Sequence, residues 1–411
     1  MKRNLLTSDQ VALRLGIDVR TVYAYVSRGI LSRTLAENGR TSRFDPAEVD
    51  ALARRGRPRK GTTRVGGIDV SLATAITRVE PERLFYRGRD AVELARSASF
   101  EQVAELLWTG ELPHAPDHGS FVAPADARKV LRALRQVLPA ASGALDRFAA
   151  AAAATAPLLP LRVDLQPASV RAHARRLIAT FVETLPRAGG RATRATRATR
   201  DARDAPTSIA ARLWTRVSPQ AETAASIRLV DAALVLLADH ELATSTMAAR
   251  VAASTRADPY AVVLAGLGAL NGPLHGSAAL GCHRLLLDAA ASSPEPAVAR
   301  ALAAGPLAGF GHPVYRGEDP RAVHLLERAH ALGSRKEGAL IDGVLAAGVT
   351  VAGARPNVDF ALAVIAFVTR MPIGATEAIF ALARTAGWIA HALEEYGEPP
   401  LRFRARAIYV G

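Results

Sequence analysis

The chain has 411 residues, 49% of them hydrophobic but only 5% aromatic, and its 52 Lys and Arg against 38 Asp and Glu give a net charge of +14. That length suffices for a large core and more than one domain, and an interior built from Ala, Leu and Val favours close-packed helices over sheets. A single cysteine, Cys282, excludes an internal disulfide, and with no long uncharged apolar stretch and a Met-Lys-Arg-Asn start the expectation is a soluble, cytoplasmic protein that does not enter a membrane.

The first module reads as a helix-turn-helix. Thr7-Ser-Asp-Gln10 is a capping box opening a helix through about Leu15; Gly16 breaks it, and Asp18 caps a second helix with Val22 and Val26 on one stripe. Arg20, Thr21, Tyr23 and Arg28 fall largely outside that stripe, and Gly29 ends the helix. Residues 30–35 and 41–44 pair around the Asn38-Gly39 turn, and Asp45-Pro46 starts a third helix ending near Arg55. Residues 1–65 hold 14 Lys and Arg against 6 Asp and Glu, so the charge excess is concentrated here. This order resembles the excisionase and MerR type of winged DNA-binding domain, which implies a recognition helix in the major groove and Arg40 and Arg43 near phosphates. The plainer reading is a small docking module with a basic surface. Residues 57–61 form a basic linker, giving an expected module over 1–60 and a second region over 61–411.

Helical spacing dominates the second region. Phe100 to Leu107 follows the cap Ser99, Leu131 to Leu138 repeats the pattern, and Ala149 to Ala156 is alanine-rich enough for close helix contact. Turn signals stand at Leu112-Pro113, Gly272-Pro273, Gly305-Pro306 and Glu398-Pro-Pro400. Within a basic insertion at about 187–204, Arg191 to Arg200 is an Arg-Ala-Thr repeat with no large apolar residue, expected to be a disordered loop insertion.

Three segments in the last third carry the chemistry: Gly272-Pro-Leu-His275-Gly, Gly309-Phe-Gly-His312-Pro and Asn357-Val-Asp359-Phe. A neutral imidazole donates to a developing oxyanion, and a carboxylate takes a proton. Two histidines and an aspartate so placed are equipped to polarise two carbonyls and deprotonate a carbon beside one of them. Singly, each has a plainer reading: His275 as a loop hydrogen-bonder, Asp359 as a cap for the helix running through Val364, and Arg384 and Arg404 as surface charges. His114, His118, His173, His283, His324, His330 and His391 sit in no motif and are read as structural or solvent-facing. No cysteine–histidine cluster calls for a metal.

With Asp239-His-Glu-Leu-Ala-Thr-Ser-Thr-Met-Ala-Ala-Arg250, the run from His312 to Arg321, and Phe85-Tyr-Arg-Gly-Arg-Asp90, these segments resemble the citrate synthase family, in family order, from about Gly66 to Gly411. The resemblance implies an all-α fold with large and small helical domains. It implies that Asp359 takes a proton from the carbon beside an acyl-CoA thioester, His275 bonds the thioester oxygen, and His312 donates to the ketone of oxaloacetate. It assigns the carboxylates of oxaloacetate to His240, Arg321, Arg384 and Arg404, the last lent by the other subunit of a homodimer. Ala308, Gly309 and Phe310 would meet CoA, which is co-substrate and product; no metal or further cofactor is implied. The products would be CoA and citrate or 2-methylcitrate, according to whether the acyl group is acetyl or propionyl.

Three departures from the family pattern stand out. Pro313 follows His312 where a basic residue is common, Arg404-Ala-Arg406 replaces Arg-Pro-Arg, and Ala243 stands where many relatives have Asn. None removes a group with a direct chemical role. Two other readings compete with this one: a metabolite-sensing DNA-binding regulator with an inactive second region, and an enzyme whose first module merely assists assembly or docking. A sensor has little need of a carbon base at 359, which favours the enzyme.

Overall fold

The structure, a computed structural model, describes residues 5–15, 17–27, 30–35, 41–55 (51 and 53–55 as backbone), 71–188, 207–272, 275–276 and 278–404. Expectations for Gly16, Arg28, Gly29, the Asn38-Gly39 turn, Arg40, the linker 57–61, the repeat 191–200, Pro273 and Arg406 lie outside them. The chain divides into two compact units, Met1–Thr74 and Ala75–Gly411. Eighteen α-helices occur among the described residues, with two small three-stranded sheets.

In the first unit, Thr7 Oγ1 accepts from Gln10 N at 3.2 Å and Gln10 Oε1 from Thr7 N at 2.9 Å, the reciprocal capping box. It opens the helix Ser8–Leu15. Asp18 Oδ1 accepts from Arg20 N at 2.8 Å and starts Val19–Ser27, while Asp45 Oδ1 accepts from Ala47 N at 2.8 Å and starts Pro46–Arg55. The second helix buries Val22 and Tyr25, with Val26 only partly covered, so its inward face is turned from the expected stripe. Arg20 and Tyr23 are exposed, and Thr21 and Arg43 are half-buried. Thr34–Leu35 pairs antiparallel with Ser42–Phe44 as expected, and Leu6–Thr7 adds a third strand on the other edge of Ser42–Phe44. That strand is hidden in the sequence because it is two residues long and the second, Thr7, also begins the capping box.

The second unit opens with the antiparallel sheet Thr77–Val79, Leu84–Tyr86 and Arg89–Asp90, a local departure from an all-helical reading. Asp90 and Ser99 cap Ala91–Ser97 and Phe100–Thr109, and the two further predicted helices extend over Ala125–Val137 and Ala144–Thr155. At the centre runs Ala375–Tyr396, whose 22 residues place Arg384, Trp388 and His391 inside the protein. Around it pack Pro167–Thr184, Ala224–Leu237, Thr244–Ser254 and Pro259–Leu270. A second group is formed by Ala278–Ala291, Pro294–Ala304, Pro320–Leu332, Arg335–Ala352 and Val358–Val368. Val358–Val368 is apolar except for Asp359 and is buried on nearly all sides, which fits the middle position between Ala278–Ala291 and Pro320–Leu332.

Small residues set the spacing of these helices. Gly266 lies against the Trp388 indole, so a β-carbon there would come within 2.7 Å of Trp388 Cδ2. Overpacking of this kind costs about 1–3 kcal/mol. Gly266→Ala is therefore expected to lower the unfolding free energy of the protein by that amount, measured by chemical denaturation followed through tryptophan fluorescence.

Candidate active site

The sequence trio comes from both helical groups. His275 follows Pro259–Leu270, His312 stands on the loop before Pro320–Leu332, and Asp359 is the second residue of Val358–Val368. Asn357 joins the last two. Its side-chain Oδ1 accepts from Asp359 N at 2.9 Å and caps the helix, while Nδ2 donates to Gly311 O at 2.8 Å. Its backbone N donates to Gly309 O at 2.8 Å, and Gly311 N donates to Arg355 O at 2.8 Å. A two-strand latch thus holds the loop of His312 against the start of the Asp359 helix. Gly309 and Gly311 have φ of 82° and 78°, in the left-handed region glycine tolerates. At Gly309 a side chain would also strike Cys282 Sγ.

The hydrogen bonds fix which nitrogen of each catalytic candidate carries its proton. His312 Nδ1 accepts from the amides of Val314 at 3.1 Å and Tyr315 at 3.2 Å, which leaves the hydrogen on Nε2. His275 is arranged the other way. Its Nε2 faces the Ser245 amide at 3.3 Å and Ser245 Oγ at 2.9 Å, and Trp388 Nε1 donates to that same Oγ at 3.3 Å. Ser245 N is one of the unpaired amides at the start of Thr244–Ser254, so Nε2 is an acceptor and Nδ1 carries the hydrogen.

Burial and nearby cations keep both rings neutral. Burial lowers the pKa of His275, with Arg384 adding to it; burial and Arg321 bring His312 down to about 4. His240 lies well below its ordinary value for the same reasons. Its Nε2 is 3.1 Å from Tyr315 Oη, and its ring meets that of His312 edge-on at 5.2 Å. Asp359 moves the other way: burial pushes it up to about 6 against the opposing pull of Arg321.

The two arginines are each 2% exposed. Arg321 is clamped by Asp319 through Nε at 2.9 Å and Nη2 at 2.8 Å, and its guanidinium lies 5.3 Å from the Tyr315 ring centroid. Asp319 also caps Pro320–Leu332 through Arg321 N and accepts from Val358 N at 3.0 Å. Arg384 Nε donates to Leu237 O at 2.9 Å, and its guanidinium lies 4.8 Å from the Phe380 ring centroid. The structure therefore brings together His240, His275, His312, Arg321, Arg384 and Asp359. Arg404 is exposed at the last described residue, and no contact joins it to the group. Ala308 and Phe310 are half-buried, and the Phe310 ring packs on Gly348 and, at 5.2 Å, on Phe360.

Sequence reasoning left Ser245, Asp319, Tyr315 and Asn357 without a role. Asp319-Pro-Arg321 carried a readable signal, a cap followed by proline at the first helical position. Ser245 carried none, because its partner lies 30 residues away. Among the described residues no group of side chains has the makings of a metal site, and no helix is long and apolar enough to cross a membrane.

Residues 67–406 match the family described as citrate synthase, C-terminal domain, and residues 5–57 match a helix-turn-helix domain. The chain is 32% identical to a citrate synthase of Haloferax volcanii, over 80% of this chain and 90% of that one. It is 30% identical to 2-methylcitrate synthase 2 of Corynebacterium glutamicum, over 79% and 88%. Among solved structures, the ternary complex of carboxymethyl coenzyme A and oxaloacetate with citrate synthase from Thermoplasma acidophilum superposes with a TM-score of 0.67 at 26% identity, covering 83% of this chain and 93% of that one.

The latch makes Asn357 the residue to test. Asn357→Ala removes a cap and a buried tie and should cost about 1–3 kcal/mol of stability. Asn357→Asp keeps the cap and loses the donor to Gly311 O, so it should recover stability in part while turnover stays low. Denaturant unfolding and steady-state rates on the same preparations check both.

Proposed function

The chain belongs to the citrate synthase family, and from that premise we propose that it condenses a short-chain acyl-CoA with oxaloacetate, releasing CoA and citrate or 2-methylcitrate, with Asp359, His275 and His312 as the reacting groups. The observation that carries this reading is a carboxylate with a raised pKa that shares the buried Arg321 and Arg384 with two neutral imidazoles whose proton-bearing nitrogens are fixed by their other hydrogen bonds.

Asp359 takes a proton from the carbon next to the thioester carbonyl. The electron pair left behind delocalises onto the thioester oxygen, which receives the hydrogen bond of His275 Nδ1–H. The nucleophilic carbon then attacks the keto carbon of oxaloacetate, while His312 Nε2–H donates to the keto oxygen and gives its proton to the alkoxide; the proton held by Asp359 is released to solvent, from which His312 is reprotonated. Water cleaves the resulting thioester, giving CoA and the tricarboxylate. A base near pKa 6 is better matched to this task than an ordinary aspartate. Neutral imidazoles donate without first losing a proton to solvent. His240, Arg321 and Arg384 line the oxaloacetate side, where planar guanidinium groups match carboxylate edges.

Arg404 enters this scheme from a second copy of the chain. Pro259–Leu270 has no charged side chain on any face, and Ala261, Leu264, Ala265, Gly268 and Ala269 on it are not buried within one chain. A surface of small apolar residues suits an isologous helix contact between two copies. For the first unit, the helix-turn-helix fold and the exposed Arg20 and Tyr23 of its second helix support a second reading, docking on DNA. The cytoplasm is the expected setting.

Three measurements test these readings. Oxaloacetate-dependent thiol release from acetyl-CoA and propionyl-CoA should fall about 100-fold or more in Asp359→Asn. No release with either thioester, from folded wild-type protein, shifts the assignment to a ligand sensor. The pH dependence of kcat/KM should show an acid limb near pH 6, because the base must be ionised: activity is present above that value and lost below it. Finally, mixing dissociated and reassociated Asp359→Asn and Arg404→Ala chains should restore about a quarter of wild-type activity, since only mixed dimers contain an intact site. No restoration would place Arg404 in its own subunit's site or outside catalysis.

A further inference from the structure

We propose that His391 is a positioning residue for oxaloacetate, the inner end of a buried chain of polar contacts that ties the turn carrying His240 to the C-terminal segment carrying Arg404. The proposal rests on the condensation reading above.

The turn after Ala224–Leu237 is held at each successive carbonyl. Leu237 O accepts from Arg384 Nε at 2.9 Å, Ala238 O from Gly387 N at 3.0 Å, and Asp239 O from Tyr86 Oη at 3.1 Å. The Asp239 carboxylate then folds back, Oδ2 accepting from Glu241 N at 3.1 Å. Glu241 has a φ of 51°, an uncommon conformation for a residue with a side chain, and this bond helps to keep it. His240 sits between the two, so the carboxylate of Asp239 sets where its imidazole points.

His391 in turn sets that carboxylate. Its Nε2 is 3.3 Å from Asp239 Oδ2, and its Nδ1 accepts from Arg250 Nη1 at 2.9 Å, which fixes the hydrogen on Nε2. Arg250 continues outward to Glu394 Oε2 at 2.9 Å and Glu395 Oε2 at 3.1 Å. Glu395 accepts both Nε of Arg402 at 2.7 Å and its Nη2 at 2.6 Å. Arg402 stands two residues before Arg404. His391, Asp239 and Glu395 are 0% exposed and Arg250 is 1% exposed. An apolar core of the same shape would avoid the desolvation of so many charges. What the charged version supplies is directionality, because each group dictates the orientation of the next.

The expected signature is confined to one substrate. His391→Leu should raise KM for oxaloacetate about tenfold, leaving KM for the acyl-CoA and kcat within about threefold. His391→Gln, whose amide can both donate to Asp239 and accept from Arg250, should recover most of the loss. Arg402→Met should raise the same KM about threefold, and the double variant His391→Leu/Arg402→Met should be no worse than His391→Leu, as members of one chain are not additive. Losses that fall equally on both substrates, or that reside in kcat, would mark a merely structural histidine and overturn the proposal. If His391→Leu does not fold, Arg402→Met, at a partly exposed position, decides: an unchanged oxaloacetate KM overturns it. Loss of thiol release in the wild type would instead overturn the condensation reading itself.

Discussion

Two guanidinium groups buried among three imidazoles are the constraint on which the site depends. Arg321 and Arg384 cannot lose their charge, so every neighbour that can lose or keep a proton adjusts to them. His240 and His312 are held neutral by burial together with these cations, and His275 by burial and Arg384. Asp359, buried in the same neighbourhood, is kept by them from rising further than it does. In the reaction we propose, the positive charge that attracts a dianion is thus separated from the neutral donors that stabilise an enolate. If the imidazoles carried the charge themselves, they would lose it on the wrong side of neutral pH.

The fold meets this constraint by placing chemistry at helix ends. Asp359 sits in the first turn of Val358–Val368, His275 is aligned by an amide from the first turn of Thr244–Ser254, and Arg321 occupies the first turn of Pro320–Leu332. Helix starts offer amides with no partner inside the helix, and these amides orient side chains without further residues. The glycine-rich loop at 309–311 lets backbone run close to another helix start, where a side chain would collide with Cys282 or sit at an unfavourable φ.

Much of this was legible in the sequence because the informative residues are local. Gly272, Gly309 and Gly311 announce turns, Ser99 and Thr7 announce helix starts, and the spacing of His275, His312 and Asp359 survives in order. Non-local relations were not legible. Asn357 has no role in the sequence alone; it gains one when Gly311, 46 residues earlier, arrives beside it. His391, in no motif, looks like any helix histidine until Arg250 and Asp239 close on it from 141 and 152 residues away. Tyr25 rather than Val26 fills the core of the first unit because a short helix is rotated by the neighbour it packs on, here Ser8–Leu15, and not by its own pattern.

Asp319 illustrates what such economy implies. One carboxylate caps a helix, grips Arg321 with both oxygens and receives the leading amide of the helix that carries Asp359. Folding and reactivity share this single point, and neither can be altered there without the other. Substrate range in such a scaffold is therefore free to drift only at positions away from this junction. A change of substrate would then be a matter of altering what surrounds this knot of charge while leaving the knot itself in place.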